Sequence, residues 1–304
     1  MEVGNHKQKN NHKWLLYITI IAVLGFGTAF AYHAYQYYQW HAAGQITQEN
    51  TAIVQEIFQE QLVAVKDIIE FTVRQPQICN AYEENDSKDE YIDKEEKEEK
   101  EEDPKELPTP LHPCFKANLD TAREQTGNAD IIAYIHIPGT DISNVITQST
   151  DNCFYLSRDI FGNKNANGSL FLDSLNCPHF SDKNTVIYGH NTNRVTMFHS
   201  LRYYVRNPNF FKDHPYIIIT TDCNVMVYEI FATFTTCINF NYIQVKFDEP
   251  EEFEKLLSEL IKRSIYRPKG IPTADDKILT LSTCTNASVD TRIVVVGKLI
   301  NHLP

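Results

Sequence analysis

Three residues in the C-terminal part of the chain carry the chemistry of acyl transfer, and each stands where an apolar run meets a loop: His190, Cys284 and Arg292. Cys284 ends the run Leu279-Thr280-Leu281-Ser282-Thr283 and opens onto a polar stretch containing Asn286, Ser288 and Asp290. A side chain at such a boundary is presented at the rim of a β-domain, where a substrate can reach it. A thiol with a pKa of about 8.5 is only a few per cent ionised at neutral pH, so it needs a base within reach. His190 offers one: Thr185-Val186-Ile187-Tyr188 stops at Gly189-His190-Asn191, and the glycine permits a backbone dihedral that turns the imidazole inward. Arg292 begins the last apolar run, so a short loop after Cys284 returns its guanidinium to the same rim. A fixed guanidinium is a permanently charged donor suited to the oxyanion of a tetrahedral intermediate.

Each residue alone has an ordinary explanation. A cysteine is usually a small buried hydrophobe, most of the eleven histidines need only be structural, and Arg292 could pair with Asp290 at the surface for little gain. The set is what points to chemistry: a nucleophile, a proton carrier and an oxyanion donor, each at a strand boundary. No acidic third member is required, and neither a cofactor nor a metal is expected.

From about Gly127 onward, short apolar runs alternate with turn residues, which predicts a mostly β domain over 127–304. Candidate strands are 131–137, 143–147, 170–173, 185–188, 216–221, 225–236, 242–246, 278–283 and 292–299. Their number and even spacing favour a closed barrel. One amphipathic helix interrupts the late strands: Phe253, Leu256, Leu257, Leu260 and Ile261 form a single apolar stripe. Asp248 with Glu251 resembles a capping box before it, and Pro250 suits the first turn.

Thr280-Leu281-Ser282-Thr283-Cys284, followed by Arg292-Ile293-Val294-Val295 and preceded by Tyr188-Gly189-His190-Asn191, resembles the sortase signature. Residues 130–137 with Gly139-Thr140, then Thr147-Gln148, Asp151-Asn152, Tyr155-Leu156 and Gly168-Ser169-Leu170-Phe171-Leu172-Asp173, are similar to the N-terminal half of class B members. A helix at 250–264 between late strands is also a class B trait. The resemblance implies an eight-stranded sortase barrel that cleaves a sorting signal after threonine and forms a thioester on Cys284. A peptidoglycan amine then resolves the thioester and anchors the protein to the wall. It implies catalytic roles for His190, Cys284 and Arg292, a groove position for Ser282, with Thr283 and Thr285 as its substrate-side neighbours, and substrates bearing an Asn-Pro-x-Thr-like motif. Thr285 departs from relatives that carry an acidic residue there, and the acidic insert at 83–106 lies outside the family pattern. A papain-like wall hydrolase would place its cysteine before its histidine, opposite to the order here. A catalytically inactive wall-binding protein would not need all three residue types.

The formal charge of −12 is concentrated: residues 83–106 hold fourteen Asp/Glu against five Lys. What remains is nearly balanced and has no clustered basic face, which argues against a nucleic-acid partner. The acidic run and Pro104, Pro108, Pro110 and Pro113 predict a linker or insert over 83–126. Before it, 35–82 reads as a stalk with a helix at 46–73 that Pro76 stops. No charged residue occurs from Trp14 through Gln48, and 14–34 is long and apolar enough to span a bilayer. Lys7, Lys9 and Lys13 precede that stretch, which places a 1–13 tail in the cytoplasm and the rest outside the cell membrane as a single-pass protein. Ala29-Phe30-Ala31 leaves cleavage of a signal peptide as the alternative. Seven cysteines permit disulfides but leave at least one thiol free, and a long strand over 225–236 argues against pairing Cys223 with Cys237.

Overall fold

The computed structural model describes residues 5–74, 112–192, 196–237, 239–267, 270–284 and 291–303. Its elements are α1 (Asn5–Arg74), α2 (His112–Thr126), β1 (Ile131–His136), β2 (Ser143–Thr147), β3 (Leu170–Leu172), β4 (Asn184–His190), α3 (Leu201–Arg206), α4 (Pro208–Asp213), β5 (Tyr216–Thr221), β6 (Val225–Cys237), α5 (Pro250–Arg263), β7 (Ile278–Cys284) and β8 (Thr291–Leu303).

The strands close into a barrel in the order β1-β2-β3-β4-β7-β8-β6-β5. β2 with β3 and β4 with β7 are parallel, and the other pairs are antiparallel. Eight of the nine expected strands form. The ninth, 242–246, is an irregular segment: Tyr242 and Val245 are buried with Ile243 exposed between them, a three-residue spacing that a strand's two-residue period does not give. The reason lies in its hydrogen bonds: the Asn184 side chain donates to the carbonyls of Tyr242 and Gln244, which supplies partners that a sheet would otherwise provide. The long β6–β8 ladder carries register shifts between Val227 and Tyr228 and between Ile230 and Ala232. Such bulges add twist and let a ladder of that length follow the barrel's curvature.

The barrel interior holds Ile135, Ile146, Leu172, Ile187, Ile219, Leu279, Leu281 and Val295 among other buried side chains. Two patches of its outer face are also covered, which is why several strands read as continuous apolar runs and not as alternation. α5 covers one patch with Phe253, Leu256, Leu257 and Leu260 against Phe231, Phe234, Val294 and Val296. α1 and α2 cover the other: Val54, Phe58, Leu119 and Ala122 pack on Ile131, Tyr134 and Val145, with the Phe58 and Tyr134 rings stacked 3.9 Å apart. The expected capping box does not form. Glu249 is the N-cap residue, with no side-chain bond of its own, and Glu252 reaches back to accept the N–H of Asp248 at 3.3 Å.

The chain divides into a unit up to Ile46 and a unit from Thr47 onward. The helix expected to act as a stalk ends at Arg74, just short of Pro76, and its segment from Thr47 to Phe58 belongs to the second unit, where Thr47 and Thr51 bond Asn167 and Asn144. α2 occupies part of the expected linker, and among its described side chains Leu119, Ala122 and Thr126 are buried. The acidic insert at 83–106 lies outside the described residues. In the first unit Phe26, Phe30, Tyr32, Tyr35, Tyr37 and Tyr38 stand exposed. Among the described residues no helix is long and apolar enough to cross a membrane, and most side chains from 14 to 24 are outside those described. Cys153, Cys177, Cys223 and Cys237 are free thiols.

Candidate active site

β4 and β7 lie side by side and parallel, and their register runs from Asn184 opposite Ile278 to His190 opposite Cys284. Adjacent strands are about 4.8 Å apart, so the expected base and nucleophile reach the same rim as backbone neighbours. This register follows from β4 and β7 each being apolar to within a residue or two of the site, with Val186, Ile187, Leu279 and Leu281 all buried.

Arg292 arrives from β8. The last backbone pair between β7 and β8 joins Ser282 to Val294, and beyond it the Ile293 N–H donates to Thr283 Oγ1 at 2.9 Å. That bond carries the strand contact one step farther and holds the start of β8 against the end of β7. On its other side Arg292 is the register partner of Thr236 in β6.

His190 is 5% exposed, and its Nε2 lies 2.7 Å from the Leu156 carbonyl oxygen. A carbonyl only accepts, so Nε2 carries the hydrogen and Nδ1 is the basic atom of the neutral ring. Burial holds the imidazole below its ordinary pKa; the Arg292 charge pushes in the same direction, and the Leu156 carbonyl opposes both. The ring is therefore neutral at pH 7 and fit to accept a proton. The Arg292 charge thus lies near enough to act on the ring.

Gly189 corrects one expectation. Its backbone is not in the left-handed region; a Cβ there would instead lie 2.4 Å from Leu170 Cδ2 and 2.7 Å from Phe198 Cδ2. The glycine is needed for close packing beside the histidine. Past it, the Phe198 N–H donates to the His190 carbonyl at 3.1 Å, while Arg202 bonds the Asn191 side chain and, at 2.7 Å, the Thr192 carbonyl. Tyr188, on the same face of β4 as His190, donates to Asp173 Oδ2 at 2.8 Å, and Asn152 donates to the same oxygen.

Of the expected substrate-side residues, Ser282 and Thr283 are both buried. Ser282 Oγ and the Tyr242 hydroxyl are 2.8 Å apart, and the Thr283 hydroxyl is the acceptor for Ile293. Thr285 lies outside the described residues, as do Asn286, Ser288 and Asp290. The sequence reading did not find Asn184, which is fully buried and accepts from Thr280 Oγ1 at 2.7 Å while holding the 242–244 carbonyls. Nor did it find Arg202 or the Leu156 carbonyl. Asn184 had one available signal, a lone amide at the head of an apolar strand. A backbone carbonyl has none. Among the described residues no cluster of His, Cys, Asp or Glu could hold a metal ion.

The sortase-domain family model matches residues 135–300, more than half of the chain. A sortase B of Listeria monocytogenes is 37% identical over 175 residues, 57% of this chain and 71% of the relative. Among solved structures, a mutant form of Clostridium perfringens sortase B is 32% identical with a TM-score of 0.58, covering 63% of this chain and 90% of that one. A Staphylococcus aureus sortase B–substrate complex is 28% identical with a TM-score of 0.57, covering 60% and 85%. The match runs through the strands that bring His190, Cys284 and Arg292 to one rim. The chain belongs to the sortase family, in its class B, and is a cysteine transpeptidase.

Proposed function

We propose that this chain is a membrane-anchored class B sortase in which His190, Cys284 and Arg292 are the catalytic residues. The observation that supports the reading most directly is the β4–β7 register that makes Cys284 the neighbour of a neutral, buried His190. In the proposed sequence, His190 Nδ1 takes the Cys284 proton, and the thiolate sulfur bonds the threonine carbonyl carbon of a sorting signal. Arg292 stabilises the resulting oxyanion. Collapse of that intermediate breaks the C–N bond, His190 returns the proton to the leaving amine, and the acyl group remains as a thioester. A peptidoglycan amine then attacks the thioester carbonyl, gives its proton to His190 and releases the thiolate, which is reprotonated.

The substrates in this reading are surface proteins with an Asn-Pro-x-Thr-like motif. Ser282, Thr283 and Thr285 are their neighbours on the chain beside Cys284, with the two buried hydroxyls serving to hold the β6–β7 loop and β8 in place. The anchor in this reading is 14–34, with the N-terminus cytoplasmic and the barrel outside the cell membrane. The charge-free stretch, the preceding lysines and the exposed aromatic residues of the first unit support it.

The test uses the full chain in membranes with a fluorogenic Asn-Pro-x-Thr peptide, with and without an added amine. Cleavage with formation of the amide product is expected, and Cys284→Ala should abolish it while the circular dichroism is retained. Turnover by Cys284→Ala would refute the nucleophile. Products formed only with water, at saturating amine, would refute transpeptidation to such acceptors.

A further inference from the structure

The loop between β2 and β3 comes back onto itself beside the site. Asn165 N–H donates to the Ser157 carbonyl at 3.0 Å, Gly168 N–H to the Asn165 carbonyl at 3.0 Å, and Ser169 N–H to the Tyr155 carbonyl at 2.9 Å. The loop closes on Gly168, whose φ is +57°. A Cβ at this position would lie 2.4 Å from the Tyr155 oxygen and 2.8 Å from the Leu156 oxygen. Both obstacles are backbone atoms, which cannot swing away as a side-chain tip can. The Leu156 oxygen is also the atom that accepts the Nε2–H of His190.

We propose that Gly168 is a positioning residue for the transpeptidation reaction: by leaving room for the Leu156 carbonyl, it fixes His190 as the Nε2–H tautomer and so keeps Nδ1 as the basic atom. A ring with the other tautomer would present an N–H to the thiol and could not take its proton. The inference rests on the catalytic reading of His190. Gly162, in the same loop, provides an internal control. Its φ is +80°, so alanine meets the same backbone penalty, yet nothing lies within 4 Å of the added Cβ.

The test compares Gly168→Ala, Gly162→Ala and His190→Ala in the full chain, using peptide turnover and the side-chain nitrogen spectrum of His190 in histidine-labelled protein. The wild type should show the Nε2–H tautomer. Gly168→Ala should lose roughly a hundredfold in kcat with KM little changed, and its His190 signal should move toward the other tautomer; Gly162→Ala should stay within about twofold. A wild-type spectrum showing the Nδ1–H tautomer overturns the proposal even if Gly168→Ala does not fold. So does a Gly168→Ala enzyme that keeps the native tautomer, or one with native kcat. Activity in His190→Ala would instead overturn the catalytic reading on which the inference stands.

Discussion

Asn184 is a sharp test of how the barrel supports the site. Its side chain is fully buried, donates to the Tyr242 and Gln244 carbonyls at 3.1 and 2.8 Å, and accepts from Thr280 Oγ1 at 2.7 Å. Each such bond contributes about 1 kcal/mol net, and a buried group left without its partner costs about 1–3 kcal/mol. Three bonds are lost together in Asn184→Ala, so the expected destabilisation is about 3–5 kcal/mol. The segment released carries Tyr242, whose hydroxyl meets Ser282 two residues before Cys284, so KM for the sorting peptide should rise as well. Asn184→Asp separates shape from hydrogen bonding. It keeps the acceptor for Thr280 but turns a second oxygen toward two carbonyls, which favours the protonated acid. Its folded-state pKa is then raised above the unfolded value, so the variant should recover stability as pH falls from 7 toward 5. Urea denaturation followed by far-ultraviolet circular dichroism measures both effects. A loss below about 1 kcal/mol in Asn184→Ala, or an Asn184→Asp variant that weakens in acid, would refute the reasoning.

Arg292→Lys keeps the charge but loses the forked donor, so kcat should fall by about a hundredfold or more while the acid limb of kcat/KM stays in place. Arg292→Gln should fall as far, and its acid limb should move to higher pH, because one cause of the depressed His190 pKa is gone; steady-state pH profiles distinguish them. Thr283→Val removes the acceptor for the Ile293 N–H and should cost about 1–3 kcal/mol, read from the urea midpoint. His136 is held neutral by burial with its pKa lowered to about 4. The unfolded chain binds that proton more readily, so stability is full above the ordinary histidine value and declines as pH falls from about 6.5 toward about 4. His136→Asn should flatten that decline in urea titrations across this range.

The barrel was legible because its strands are apolar on a scale that exceeds any local ambiguity, and the β4–β7 register beside the three candidate site residues could be anticipated because each of them closes or opens such a run. What escaped had no one-dimensional mark. The run 242–246 mixes strand-favouring Tyr242, Ile243 and Val245 with polar residues, yet a single amide from Asn184 takes the Tyr242 and Gln244 carbonyls and the ladder never forms. α3 and α4 are too short for a helical period to declare itself, although Asn207 before Pro208 was a usable start signal: its side chain accepts from Asn209 N–H. Gly189 was read for its freedom and is needed for its size, a distinction that depends on Leu170 and Phe198, neither adjacent to it in sequence. The tautomer of His190 depends on a carbonyl, and every residue has one of those.

His190 and Cys284 become neighbours only through β4 and β7, and the whole of β5, β6 and α5 is threaded between them along the chain. Such a pairing is among the most non-local in the domain, and contacts of that kind form late because their loop-closure entropy must be met first. A polypeptide built this way carries an unarmed thiol until the barrel closes and acquires reactivity only on maturation. Recovery of turnover after dilution from denaturant should therefore trail the return of secondary structure, making acyl transfer itself a gauge of completed assembly.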